Sequence, residues 1–311
     1  MIMEFEIPSE EKNIAVALSG GGDSMALAHM MCTWGSLNGR TIHLLTVNHN
    51  LRPDSAREAE WVRQCVINFP NSIHHILLWD FDVKPDMAIM EKAREARYDL
   101  MTAYCQHHNI KTLAIAHHAN DQLETFLFRL AKGSGLDGLA GMEEWRTRDT
   151  IRLYRPLLQM GHDDLIEYCR HHNLEWIEDP TNINENYARP RLRQTLAQEG
   201  LDTKRFAKTL ERLRRGRQAL DDIAENVYND AQLPNGYNWK KITRQPLDIQ
   251  IRVLQKLLIH YGGTTRPYPP KLERVEDIVT GLKAGQSATL YGCILSLSKD
   301  GNTLEIKRTT A

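Results

Sequence analysis

Four short apolar runs rich in β-branched residues stand out in the first half of the chain: residues 14–18 (IAVAL), 42–47 (IHLLTV), 73–79 (IHHILLW) and 112–116 (TLAIA). A continuous apolar strand is buried on both faces, the pattern of a parallel sheet covered by helices. Between these runs, residues 24–32, 55–69, 88–107 and 120–131 have helical periodicity. Such alternation predicts βαβ units and hence an α/β fold with a doubly wound, mostly parallel sheet. Ligands of these sheets sit beyond the carboxyl ends of the strands.

Past Pro156 the pattern turns mostly helical, with residues 163–172 followed by the loop sequence Glu178-Asp-Pro-Thr-Asn-Ile-Asn. Residues 247–260 and 272–282 predict helices, and 288–297 with 303–306 predict a hairpin around Lys299-Asp-Gly-Asn. We therefore expect a first domain over 1–215 and a smaller C-terminal α+β domain over 216–311. The length of 311 residues agrees with two domains at about 150 residues each.

Composition narrows the class. Five cysteines, at 32, 65, 105, 169 and 293, form no C-x-x-C pair, which argues against a disulfide framework or a cysteine-bound metal and for a reducing cytoplasm. No apolar run approaches the roughly 18 residues of a membrane span, and the acidic start MIMEFEIPSEEKN is unlike a signal peptide, so no membrane partner is expected. The net charge of -1 speaks against nucleic acid until its distribution is read. Residues 189–217 hold ten Lys or Arg against Glu199, Asp202 and Glu211, a net of +7, and the rest of the chain sums to -8. Arg189, Arg191, Arg193, Lys204, Arg205 and Lys208 head this strip, which suits an RNA backbone; the alternative is a solvated amphipathic helix.

The sharpest local signal is Ser19-Gly20-Gly21-Gly22-Asp23-Ser24, between the first strand and the first helix. Glycines let the backbone approach a bulky anion, and a helix N-terminus adds positive potential, so the turn suits phosphate. Asp23 would repel phosphate unless a cation such as Mg²⁺ lies between them. A plain glycine-rich turn is the competing reading. The loop lacks the G-K-[S/T] of a Walker A sequence. Gly133-Ser-Gly135-Leu-Asp-Gly138 matches a dinucleotide fingerprint in letters but follows a helix, so it reads as a helix-terminating loop.

S-G-G-x-D-S after the first strand resembles the PP-loop ATP pyrophosphatases, a Rossmann-like superfamily, which implies ATP cleavage between the α and β phosphates. Further segments resemble the tRNA(Ile)-lysidine synthases over about residues 14–195. They are Val47-Asn-His-Asn-Leu-Arg52-Pro-Asp-Ser55, Ala93-Arg94-Glu-Ala-Arg97-Tyr98, His117-His118-Ala-Asn120-Asp121-Gln122-Leu-Glu124-Thr125 through the glycines 133–141, and Arg155-Pro156-Leu-Leu with Glu178-Asp179-Pro-Thr-Asn182. That resemblance implies an enzyme joining L-lysine to the wobble cytidine of a CAU-anticodon tRNA(Ile), with ATP as substrate and Mg²⁺ as cofactor.

On this basis residues 19–24 are expected to hold the pyrophosphate of ATP, and Val47 and His49 its adenine. Arg52, Arg94, Arg97, His117, Gln122 and Glu124 are candidate substrate or phosphate contacts. Asp23 and Asp121 are the candidate catalytic carboxylates and Mg²⁺ ligands; the alternative for Asp121 is a helix cap. His117, Asp121 and Glu124 are expected on one side of a single helix. Asn120 and Pro190 depart from the family pattern, and the sequence leaves a homodimer open. Competing functions are a PP-loop tRNA thiolase, which would need paired reactive cysteines, and a non-catalytic nucleotide- or tRNA-binding module.

Overall fold

The structure, a computed structural model, describes residues 3–51, 54–80, 89–178, 203–262 and 270–309. The chain divides into two compact units, Met1–Glu211 and Arg212–Ala311.

The first unit is built on a six-stranded sheet of order β3-β2-β1-β4-β6-β5. Its strands are β1 (Asn13–Ala17), β2 (Thr41–Asn48), β3 (Ser72–Leu78), β4 (Thr112–Ala114), β5 (Trp145–Arg148) and β6 (Ile151–Tyr154). Pairing is parallel except between β5 and β6. The helices are α1 (Gly22–Leu37), α2 (Ser55–Val66), α3 (Ile89–His107), α4 (Ala119–Ala131), the single turn α5 (Leu136–Leu139) and α6 (His162–His171). Alternation along β1 separates two cores: Ile14, Val16 and Leu18 pack with Met25, Trp34, Val62 and Leu165 on one face, and Ala15 packs with Leu45, Tyr98, Met101 and Leu113 on the other. The chain moves from β1 to β2 on one side and later enters β4 on the other. This reversal opens a crevice at the carboxyl ends of β1 and β4.

Two expectations are corrected here. The 73–79 strand is not buried on both faces, because the sheet order puts β3 at an edge and leaves Ile73 and Leu78 exposed. The β5–β6 hairpin, turning at Asp149 with φ 52°, is absent from the sequence reading. WRTR and IRLY are short and arginine-bearing, and their strand character comes from pairing β6 beside β4.

A long helix, α7 (Thr203–Asp230), contains the division between the units. The second unit then carries an antiparallel five-stranded sheet of order β7-β8-β11-β10-β9 with α8 (Trp239–Thr243), α9 (Leu247–Gly262) and α10 (Leu272–Lys283). Its strands are β7 (Gln232–Leu233), β8 (Gly236–Asn238), β9 (Ala288–Leu290), β10 (Cys293–Leu297) and β11 (Thr303–Arg308). Val253, Leu254, Leu257, Val275, Leu282, Leu295 and Leu304 form a separate core, fully shielded from solvent. All five cysteines are free, and four of them are buried. Among the described residues no helix is long and apolar enough to cross a membrane.

Candidate active site

The loop after β1 is braced from inside. The Ser24 hydroxyl donates to the Gly21 carbonyl at 2.8 Å and accepts from the Ser19 amide at 3.2 Å and the Ser19 hydroxyl at 3.1 Å. Ser24 therefore shapes the turn with the hydroxyl expected to meet phosphate. The glycines differ in their reasons. Gly20 has φ +87°, and a Cβ there would meet Val62 Cγ2 at 2.6 Å; one at Gly22 would meet Ile166 Cδ1 at 2.4 Å and Trp176 at 3.6 Å. Ile177 also donates its amide to the Gly20 carbonyl at 2.9 Å, so residues 176–177 strap the loop. Gly21 alone faces open space, with Ser19 Oγ at 3.8 Å as its nearest neighbour. It is also the N-cap of α1, whose first-turn N–H groups have no acceptor within the helix. This turn can receive an anion at Gly21.

Asp23, in the first turn of α1, reaches across the crevice to the residues after β4 and β6. One carboxylate oxygen lies 3.4 Å from His118 Nε2 and the other 2.8 Å from His162 Nδ1. Burial raises its pKa, but the two imidazoles outweigh that and hold the carboxyl well below the usual carboxylate range. His118 is the N-cap of α4: its Nδ1 accepts from the Asn120 amide at 3.2 Å, while Asp121 accepts from the His118 amide at 3.1 Å. An Nδ1 that accepts leaves the proton on Nε2. That Nε2–H lies between Asp23 and Asp121, 3.4 and 3.5 Å from their oxygens.

Asp23, His118 and His162 offer ligand atoms within 4.8 Å of one another. For a softer ion such as zinc, however, His118 would have to surrender its cap to free Nε2. The donor set fits a hard cation held by the carboxylates of Asp23 and Asp121 better.

On the other side of the crevice stands a cationic cluster. The buried Arg155, just after β6, donates from Nε to His117 Nδ1 at 3.2 Å and from Nη1 to the Glu143 carbonyl at 2.9 Å. Burial is the main cause, with Arg155, Arg94 and Arg97 adding to it against Asp121, that pushes His117 down to about 4. His49, edge-on to Trp79, is pushed down to about 4 by burial and by Arg97. Val47 packs into the face shared with α3.

The expected single helix face for His117, Asp121 and Glu124 is not what forms. α4 starts at Ala119, so His117 lies before it and turns to Arg155, while Glu124 is buried at 3% exposure. Gln122 is also buried, and both ends of its amide hold the backbone of Met142, at 2.9 and 2.6 Å. Asn120 accepts from the His162 amide at 3.0 Å, a role for the residue that departs from the family pattern. Arg205 and Lys208 are exposed on α7, beside a Phe126–Phe206 contact. Arg52, Arg189, Pro190, Arg191, Arg193 and the Lys204 side chain lie outside the described residues.

Sequence reasoning passed over His118, His162 and Arg155. His-His pairs recur through the chain and carried no distinguishing weight. The available signal for Arg155 was its place in the family-like segment Arg155-Pro156-Leu-Leu.

A family profile described as a PP-loop domain matches residues 2–200. The chain is 33% identical to a tRNA(Ile)-lysidine synthase of Wolbachia pipientis wMel, covering 95% of this chain and 70% of that one. It is 34% identical to a tRNA(Ile)-lysidine synthase of Bradyrhizobium sp., covering 92% and 88% respectively. Among solved structures it resembles a U34-tRNA thiolase, NcsA, of Methanococcus maripaludis with its [4Fe-4S] cluster. That likeness has a TM-score of 0.51 at 17% identity over 65% of this chain and 72% of that one, and it concerns the fold alone.

Proposed function

The chain belongs to the tRNA(Ile)-lysidine synthases, and on that premise we propose how its residues serve the ATP-dependent ligation of L-lysine to C2 of the wobble cytidine in a CAU-anticodon tRNA(Ile). ATP sits with its pyrophosphate on the turn at residues 19–24 and its adenine near Val47 and His49. The cytidine O2 attacks the α phosphorus and pyrophosphate leaves. The ε-amine of lysine then attacks C2, the C2–O2 bond breaks, and AMP departs carrying O2. The amine must first shed a proton, since its free pKa is about 10.4.

The observation that carries this reading is the meeting of Asp23 with the His118–Asp121 cap, which puts two carboxylates beside the phosphate turn. Asp23 and Asp121 would hold Mg²⁺, which supplies charge neutralisation at the phosphates. His118 and His162 keep Asp23 ionised and aimed into the crevice. Arg94, Arg97 and His117 meet substrate or phosphate from the far side, with Arg52 and Glu124 assigned to the same contacts. Arg189, Arg191, Arg193, Lys204, Arg205 and Lys208 attract the tRNA backbone from the arm that ends a catalytic domain at about residue 215, and residues 216–311 hold the tRNA. A tRNA substrate places the enzyme in the cytoplasm. The scattered, mostly buried cysteines offer no pair for thiolation.

The test incubates the protein with ATP, labelled lysine and tRNAs of different anticodons. Label entering only the CAU isoleucine tRNA supports the proposal; ATP binding with no transfer to any tRNA overturns it in favour of a binding module.

A further inference from the structure

The edge of the sheet in the first unit holds a recess apart from the phosphate turn. β5 is the last strand in the sheet order, and its residues Trp145 and Thr147 stand directly opposite Tyr154 and Arg152 of β6. Directly opposed residues of an antiparallel pair project from the same face, so these four side chains form one surface. Three of them make a column. The Trp145 ring stacks on Tyr154 at 4.1 Å and 13°, and the Arg152 guanidinium lies over the Trp145 ring at 5.2 Å. The segment before β1 closes the recess. The Glu6 amide donates to the Tyr154 hydroxyl at 3.2 Å, and Glu6 and Pro8 join Trp145, Arg146, Thr147 and Arg152 around a cavity of about 320 Å³.

The charge of Arg152 is already matched. Glu11, buried at 7% exposure, forms an ion pair with it, and its Nη2 donates to Thr112 Oγ1 at 3.4 Å. The guanidinium is thereby neutralised and fixed, yet the side chain stays 38% exposed. A fixed planar group seated over tryptophan and reachable from solvent suits stacking with an unpaired base better than contact with a phosphate. Around it stand the Glu6 carboxylate, the Thr147 hydroxyl and the exposed Arg146. A carboxylate accepts from an exocyclic amine, which adenine and cytosine carry and uracil lacks.

The recess adjoins the crevice. Arg155 follows Tyr154 directly and donates its amide to the Glu144 carbonyl at 2.8 Å, so the start of β5 borders the residue that holds His117. β5 lies two strands from β4, roughly 10 Å across the sheet. A cytidine splayed into the crevice carries its neighbours over this edge. In a CAU anticodon the other base with an exocyclic amine is the adenine that follows the wobble cytidine. We propose that the Tyr154–Trp145–Arg152 column stacks that adenine, with Glu6 accepting from its amine and Arg146 beside its phosphate. This rests on the tRNA reading above and deepens it with a contact that holds the anticodon while the cytidine reacts.

The test measures affinity at fixed salt for CAU tRNA(Ile) with adenosine, purine riboside or an abasic nucleotide after the wobble cytidine. Wild-type enzyme should bind the abasic tRNA about tenfold weaker and the purine tRNA about threefold weaker. Arg152→Lys keeps the charge opposite Glu11 and removes the plane. It should bind the adenosine tRNA about tenfold weaker, with no further loss on the abasic tRNA and no change in salt dependence. Glu6→Gln, at an exposed position, should erase only the difference between adenosine and purine, and it keeps the test informative if Arg152→Lys fails to fold. A wild type indifferent to the base, variant losses that add to the abasic loss, or a shallower salt dependence in Arg152→Lys overturns the proposal. Lysidine formation that persists beside such a result leaves the parent reading standing, whereas a wild type that modifies no tRNA sinks both.

Discussion

Gly20 and Gly21 are neighbours of one residue type in one loop, yet substitution to alanine should damage different properties. At Gly20 the backbone has φ +87°, and the new Cβ would lie 2.6 Å from Val62 Cγ2. The left-handed conformation costs a non-glycine residue about 1–2 kcal/mol. Val62 is β-branched and fully buried, so it has no free rotamer to retreat into, and overpacking adds about 1–3 kcal/mol. A total of about 2–5 kcal/mol corresponds to a fall in melting temperature of roughly 5–15 °C for a unit of this size. At Gly21 φ is -74° and the nearest atom to the new Cβ is 3.8 Å away, so folding should change by less than about 1 kcal/mol. The methyl group would instead occupy the side on which phosphate approaches, and ATP should bind about tenfold weaker or worse. Calorimetric melting and titration with ATP separate the two effects. A Gly21→Ala protein that binds ATP as the wild type does, or a Gly20→Ala protein of unchanged stability, would refute the assignment of Gly21 to the ligand and Gly20 to packing.

Four further outcomes are expected. Asp121→Asn should remove the carboxylate from the α4 capping box, cost about 1 kcal/mol in urea unfolding, and abolish tRNA-dependent pyrophosphate release; full turnover would remove Asp121 from the site. Gln122→Leu strips the partners of the Met142 amide and carbonyl, so it should destabilise by about 1–3 kcal/mol with little change in KM; a large KM effect at unchanged stability would make Gln122 a substrate contact after all. Burial pushes His43, His49 and His74 from 6.5 down to about 4, so protonation favours the unfolded chain. Their contribution is complete above pH 6.5 and is lost as pH falls toward about 4, and His43→Gln should flatten that part of a plot of urea midpoint against pH. Finally, tRNA affinity should fall steeply between low and high salt and less steeply in Arg205→Gln/Lys208→Gln, as counterion release at phosphate contacts requires; equal affinity at both salts contradicts the basic strip as an RNA contact.

Much of the fold was legible because its signals are local. The strands at 14–18 and 42–47 and the glycine turn each carry their pattern within a few residues, and the turn's place between strand and helix is what suggests its chemistry. The site was legible only where chemistry and locality coincide. Asp23 was singled out because a carboxylate beside a phosphate turn is anomalous, but its partner His162 is 139 residues away and follows a glycine at an ordinary helix start. His118 gains its meaning from capping geometry, which decides the side of the imidazole that carries the proton. Arg155 stood in a family-like segment with no role of its own until β6 joined the sheet beside β4 and carried it to His117. Gln122 shows the opposite case, since a polar side chain in a functional-looking run turns inward to hold the backbone of Met142.

The strap at residues 176–177 makes the phosphate turn non-portable. SGGGDS copied into another βα connection would have the letters of the motif but neither the Ile177 amide that holds the Gly20 carbonyl nor the Ile166 and Trp176 side chains that close over Gly22. A designer transplanting this binding element would have to move three segments of the chain together. Random variation faces the same arithmetic, so bulky replacements at 166 or 176 would have to be judged with the glycine they cover.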